Sequence, residues 1–335
     1  MQRRTKFTLL VVALVLLSIV LFAYLLQKAP PEAARLLPES DCILYFNLRP
    51  LRAYSHFDRQ APPHDPSYQK FIDATGFDFE RDLDEAAFAL YPMPDPLGPN
   101  GPVAFSEVFI GRFNGERVNR YLASISTGRE EYAGHTIYEI PSEGRTVRVS
   151  LLGFDIAAVS NNPTPEQIHS ILDRYRTAAL PFSGSSLLSD HYADVPLLSL
   201  AWGIGKIDFP LPGDGIRIMG FRVPLDLGAT LIASLRWTGA LHLRLEEIAT
   251  SEMAAGASSE AFKGFIAMAR AAENYLPDTM TDADVRSLLD STRIQQHKER
   301  AVVTATVPTA LLKRMFTASG SLRSLPETGA NPTGP

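Results

Sequence analysis

Hydrophobic and polar positions follow three rhythms along this chain, and each predicts a different element. The first is unbroken: Phe7 to Leu26 is twenty residues with no charge, no Pro and no Gly. A helix rises about 1.5 Å per residue, so this run spans the roughly 30 Å hydrocarbon layer of a bilayer. A cleaved signal peptide carries an apolar stretch of only about 7–15 residues and a small-residue exit. This run leaves instead through Tyr24, Leu25, Leu26, Gln27 and Lys28. The sequence therefore predicts an uncleaved anchor. Arg3, Arg4 and Lys6 precede it and only Lys28 follows closely, which places the N-terminus in the cytoplasm and the rest of the chain outside a bacterial inner membrane.

The second rhythm is the β-branched and aromatic content, often alternating, of strands. It appears at Ile43–Leu48, Ala86–Tyr91, Glu107–Phe113, Tyr132–Ile140, Thr146–Leu152, Asp155–Val159, Leu197–Gly203, Ala233–Trp237, Ala240–Glu246 and Ala301–Val307. In Tyr132–Ile140 it sets Ile137 and Glu139 on one face and Tyr138 and Ile140 on the other. The third is the helical spacing of Val118, Tyr121, Leu122 and Ile125 behind the capping residue Asn114. It returns in Ile168, Ile171, Leu172 and Tyr175 behind Thr164-Pro165-Glu166-Gln167, where Thr164 is placed to cap. Phe262, Phe265, Ile266 and Ala269 repeat it after Ser258, as do Val285, Leu288 and Leu289 after Thr281. Shorter helices are expected over Leu51–Tyr54, Tyr68–Ala74 (closed by Gly76) and Thr309–Phe316. The prolines and glycines of 91–103 mark a loop.

Together these give an α+β chain in five parts: a cytoplasmic tip and anchor at 1–28, a stalk at 29–40, strand-rich halves at 41–180 and 195–316, and a disordered tail at 317–335. The β-α-β-β-β-α order of the first half predicts ferredoxin-like repeats, with antiparallel sheets covered by helices on one face. Val108–Leu122 and Val302–Phe316 share a strand-turn-helix pattern.

Charge sharpens the division. The chain carries 32 Lys and Arg against 37 Asp and Glu, and residues 1–28 contain four of the basic groups and no acid. The body is thus acidic, a poor match for a phosphate backbone, and nucleic acid is excluded as an expected partner. The single cysteine, Cys42, excludes an internal disulfide and multi-cysteine zinc sites. Asn162-Pro163-Thr164 and Asn331-Pro332-Thr333 are blocked as glycosylation sites by their prolines.

Three segments carry a family likeness: Asp41 to Leu51 (DCILYFNLRPL), Thr75 to Asp84 (TGFDFERDLD), and Gly111-Arg112-Phe113 ahead of a helix. They resemble a family of uncharacterised membrane-anchored or secreted proteins from Acidobacteria-type bacteria. The likeness covers most of 38–316. It implies an envelope location and an α+β repeat fold, and brings no catalytic residues with it.

Candidate chemistry is sparse. The histidines are His56, His64, His135, His169, His191, His242 and His297, and none shows the HExxH spacing that puts two metal ligands on one helix face. His56 and His64 lie with Asp58 and Asp65 in a proline-rich loop and read as solvated. Asp78, Glu80, Asp82, Asp84 and Glu85 form the densest acidic run, but Leu83 and Ala89 stand where a calcium loop needs Gly and Glu. Gly203-Ile204-Gly205 lacks the third glycine of a dinucleotide motif, and no Gly-x-Ser-x-Gly elbow occurs. Leu325 to Gly329 matches a sortase pentapeptide without the apolar span that must follow it. No cofactor and no metal is expected.

The functional expectation is a non-enzymatic envelope module for interaction or scaffolding, with an unknown envelope protein as partner. Binding of a lipid or other apolar small molecule is the alternative, in a concavity near Phe262, Phe265, Phe316, Trp202 and Trp237; a hydrolase is a third. The candidate contact residues are Leu211, Ile216, Ile218, Met219 and Phe221. They fall in an apolar but proline- and glycine-rich excursion, where Ile216–Val223 alternatively reads as a core-facing strand.

Overall fold

A computed structural model describes residues 29–55, 64–98, 101–177, 184–206, 217–218, 221–222, 228–274 and 283–310. Phe7 to Leu26, the tail 317–335, and His56 and Asp58 lie outside these residues. Among the described residues no helix is long and apolar enough to cross a membrane.

The chain is α+β and builds one large antiparallel sheet with helices. In chain order it runs α1 (Glu32–Arg35), β1 (Cys42–Asn47), α2 (Leu48–Ser55), α3 (Pro66–Thr75), α4 (Phe79–Asp82), β2 (Leu83–Pro92), β3 (Val103–Gly111), α5 (Gly115–Ile125), β4 (Gly128–Tyr132), β5 (His135–Ser142), β6 (Arg145–Leu152) and β7 (Ile156–Ser160). It continues through α6 (Glu166–Thr177), α7 (Ser186–His191), β8 (Ser199–Lys206), β9 (Arg217–Ile218), β10 (Phe221–Arg222), β11 (Thr230–Trp237), β12 (Leu241–Ile248), α8 (Glu252–Asn274), α9 (Ala283–Ser291), β13 (Arg293–His297) and β14 (Arg300–Val307).

The sheets expected of two halves are one sheet of twelve strands, ordered β13-β14-β12-β11-β8-β1-β2-β3-β7-β6-β5-β4. The join is β1, which pairs with β2 on one side and β8 on the other. Two expectations of single elements change. Tyr132–Ile140 is a hairpin, because Ala133 (φ 53) and Gly134 (φ 83) make a tight turn between β4 and β5. Thr164 donates its hydroxyl to Asn162 Oδ1 at 3.3 Å. Asn114 caps α5 as expected, accepting from Arg117 N–H at 3.1 Å, and Gly76 closes α3 at φ 73.

Helices lie on both faces of the sheet, not on one. The reason is that the central strands are apolar at both parities. On the closed face, Ile43, Ala87, Ala89, Val108, Ala158 and Ile204 are fully buried beneath α1, α6 and α7, joined by Ile168, Ile171, Leu172 and Leu188. On the opposite face, Ala86, Phe88 and Phe109 pack with Phe71 and Phe77, while Val118 and Leu122 of α5 cover Tyr138, Ile140, Val149 and Leu151. α8 joins this second face at the far end, where Ser258 Oγ donates to Glu247 at 3.1 Å.

A candidate binding face at the middle of the sheet

The helices of the second face gather at its two ends, α2 to α5 over β2, β5 and β6 and α8 over β13 and β14. Between them the strand registers lay out three rows of side chains, since alternate residues share a face. One row runs Glu107, Phe88, Leu44, Gly203, Ala233, Leu245. The second runs Phe105, Leu90, Cys42, Gly205, Leu231 and the third Phe46, Ala201, Leu235, Leu243, continued on the other side of Phe46 by Ala86 and Phe109, which the Phe71 and Phe77 cluster covers. Most of these residues are half-buried, and Phe46 and Leu243 keep 39% and 38% of their surface exposed. We call this the half-open face.

Its floor is shaped by two glycines. A Cβ on Gly203 would stand 2.7 Å from Leu44 Cδ2, and one on Gly205 would stand 3.0 Å from Cys42 Sγ. Both side chains of β1 therefore lie down across β8, which flattens the strip. Phe88 meets the edges of both Phe46 and Phe109 at 6.0 Å between ring centroids, the geometry aromatic quadrupoles favour.

Glu107 is the polar group of this face. Burial among aromatic and aliphatic neighbours raises its carboxyl to about 7, because a low-dielectric setting disfavours the charged form. Sequence reasoning passed over it. The signal was there in Phe105-Ser106-Glu107-Val108-Phe109, where period two sets the acid beside two phenylalanines.

Two of the five predicted contact residues are described. Leu211, Ile216 and Met219 lie outside the described residues. Ile218 and Phe221 are cross-strand partners in the short β9–β10 hairpin. The aromatic groups proposed to form one concavity do not converge: Trp202 stacks on Tyr45 at 5.3 Å in the closed face, whereas Phe262 is buried in α8 on the other side of the sheet. Phe316 lies outside the described residues.

Two concavities are lined mainly by polar and charged residues. One, about 740 Å³, lies on the closed face beyond the last covering helix and is lined by Asp194, Arg244, Glu246, Gln295, His297 and Arg300. Arg300 donates to Asp194 at 2.8 Å and to buried Glu246 at 2.7 Å, and Arg244 holds the other Glu246 oxygen at 2.8 Å. These charges satisfy one another. The other, about 450 Å³, is a surface groove beside Tyr132, which stacks on His169 at 3.8 Å and donates to Asp173 at 2.9 Å. Cys42 makes a poor nucleophile, since burial and the neighbouring Asp41 push its thiol up to about 11.

The acidic run is dispersed by the turn from α4 into β2. Asp82 takes Arg81 at 2.7 Å and Arg112 at 3.3 Å, and Asp84 takes Arg52 at 2.9 Å and Arg49 at 3.1 Å. Glu85 lies in β2 within reach of the Tyr45 hydroxyl, and burial raises its carboxyl. Asp78 and Glu80 remain, and His64 joins them.

No protein-family model matches the chain, and no curated protein matches it. Among solved structures it is similar to three crystal forms of TP0453. Form IV is 13% identical with a TM-score of 0.46, covering 85% of this chain and 96% of that one. Form III is 11% identical with a TM-score of 0.42 (86% and 99% covered), and form I is 12% identical at 0.42 (88% and 99% covered). Scores below 0.5 do not establish a common fold.

Proposed function

We propose that the chain is a single-pass envelope protein, held in a bacterial inner membrane by Phe7 to Leu26, whose extracytoplasmic α+β body is a non-enzymatic module that docks another envelope protein on the half-open face. The observation that supports this reading is the three-row apolar strip at the middle of the sheet, half-buried while the reverse side of the same strands is sealed. Contiguous apolar surface of this kind marks interaction sites. A broad, flat strip suits a protein surface better than a small molecule, which takes an enclosed apolar pocket; the two concavities described above are open and lined mainly by polar and charged residues. Glu107 then gives the strip a single point of polar selection, for a partner that brings a hydrogen-bond donor or a cation.

The two strand-rich halves belong to the same proposal as related units. Strand order supports it. β3 is followed by α5 and the β4–β7 meander, whose last strand returns beside β3; β12 is followed by α8, α9 and the β13–β14 hairpin, whose last strand returns beside β12. Both are split β-α-β units, the first with two extra strands. By this reading β14 matches β7, so the shared pattern of Val108–Leu122 and Val302–Phe316 pairs strands that are not equivalent.

Site-specific photo-crosslinking in native membranes tests the docking. A benzophenone side chain replacing Phe46 or Phe88 in the full chain is expected to give discrete protein adducts. The same probe at Phe154, which is 94% exposed and outside the strip, is expected to give none. Lipid adducts alone at positions 46 and 88, or adducts equally strong at 154, would overturn it.

A further inference from the structure

We infer that His64, Asp78 and Glu80 form a binding site for one divalent transition-metal ion of the zinc or manganese class. The inference is independent of the docking face. One ligand atom from each residue lies within 4.8 Å of the others. Metal–ligand bonds of about 2.0–2.2 Å place tetrahedral ligand atoms about 3.4 Å apart, so no pair is more than about 1.4 Å beyond that spacing.

The decisive group is His64. Its side chain is only 9% exposed and its Nε2 lies 3.2 Å from Glu80 Oε2. The two are not aligned as a hydrogen bond, and Nε2 is buried without a hydrogen-bond partner. An imidazole nitrogen buried against two carboxylates without a hydrogen-bond partner has lost water and replaced it with nothing, a cost that a cation between the three groups removes.

The surroundings hold the ligands in place. His64 precedes Asp65, which caps α3 by accepting from Ser67 N–H at 2.8 Å. Its ring meets the edge of Tyr68 at 4.9 Å between centroids. Asp78 is itself a cap: Oδ1 accepts from Glu80 N–H at 3.0 Å, which fixes the carboxylate close beside that of Glu80. Glu80 Oε2 accepts from Tyr68 Oη at 3.3 Å, and Tyr68 Oη accepts from Phe79 N–H at 2.8 Å. Among the described residues neither Asp78 nor Glu80 is paired with Arg or Lys, whereas Asp82 and Asp84 each have two arginines.

The donor set chooses the ion. One imidazole and two carboxylates suit zinc or manganese, while calcium takes about six to eight oxygens. Bound there, the ion would staple the start of α3 to the α4 turn, on the edge of the Phe71, Phe77 and Phe79 cluster. That is a structural role.

The test uses the full chain in detergent, stripped with a chelator and titrated with Zn²⁺ and Co²⁺. One equivalent of heat-producing Zn²⁺ per chain is expected, with a visible Co²⁺ ligand-field band that Zn²⁺ displaces. His64→Gln should weaken binding by more than the roughly 10–100-fold that outer-shell changes cost. Glu80→Gln, which keeps shape and the α4 turn, should do the same and decides the matter if His64→Gln fails to fold. No heat and no band at millimolar ion, heat with Ca²⁺ but not Zn²⁺, or unchanged affinity in a folded variant would each overturn the assignment.

Discussion

Ile43 and Leu44 are neighbours in one strand, yet they belong to two different environments. Ile43 is fully buried under α1 and α6, and with it the closed-face residues Ala87, Val108 and Ile204. Leu44, one residue on, lies in a strip where Phe46 stays 39% exposed and Glu107 is held among aromatic rings. The strands are the same and both parities are apolar. What differs is which helices the connections deliver, and where. Apolar pattern therefore identifies a buried strand but not which of its faces the rest of the chain will seal. A second difference lies within the closed face itself. Under the helices it is apolar, but past Ile232 it continues into Glu246, Arg300 and Asp194, an ion network in place of a helix.

The largest expected effect comes from putting the same charge on either side of β1. Ile43→Asp buries an unpaired carboxylate in the closed core, a cost comparable to the whole stability of a domain at about 5–15 kcal/mol. It should abolish cooperative unfolding by circular dichroism. Leu44→Asp should leave a cooperative transition, and equal loss in both would erase the distinction between the faces. Next comes the ion network. Arg300→Met strips Glu246, whose side chain is 3% exposed, of its closest partner while Arg244 still holds the other oxygen, and is expected to cost about 1.5–3 kcal/mol in chemical denaturation. Adding Glu246→Leu should recover much of that loss. A loss in the double variant as large as in the single would show the network to be packing, not charge.

Much of this architecture is legible in the sequence, and what is not has identifiable causes. The core strands Ile43–Leu48, Thr146–Leu152 and Ala301–Val307, the Asn114 cap and the Gly76 stop all declare themselves, because burial and capping both demand particular residue types. The two strands that sequence reasoning passed over, β4 (Gly128–Tyr132) and β13 (Arg293–His297), are the two edges of the sheet. Edge strands are kept short and charged to prevent pairing with other chains, so GREEY and RIQQH carry little of the apolar signal that marks a strand. The candidate sites were hidden by distance. Glu107 becomes notable only when Phe88 and Leu44 are set beside it by strand pairing. His64 stands near Asp58 and Asp65 in the chain, but in space it joins Asp78 and Glu80.

Glu107 sharpens the comparison through pH. Burial holds its carboxyl near 7 in the folded body, above the roughly 4.3 of an exposed glutamate. A raised folded value contributes stability that is fully present below about pH 4.3 and lost as pH rises through about 7. The body should therefore melt lower at pH 8 than at pH 5. Glu107→Gln should remove that part of the slope, gaining roughly 2–3 kcal/mol at pH 8 and almost nothing at pH 4, once partial solvent screening is allowed for. Parallel melting profiles for the two proteins would place Glu107 in water and take the polar selection point out of the docking strip.

The smallest expected effect on stability decides the most about function. Phe46→Ser removes a ring that already keeps 39% of its surface in water, and Phe88 retains its contact with Phe109 on the other side. The cost should stay below about 1.5 kcal/mol, less than the roughly 2–5 kcal/mol typical of emptying a sealed site such as Ile43→Ala. If the strip exists to be covered by a partner, this mild change should abolish the crosslinks formed from position 88 while the melting temperature barely moves. A Phe46→Ser loss as large as that of Ile43→Ala would mean that the half-open face is closed in solution by the chain itself, and the docking reading would fall with it.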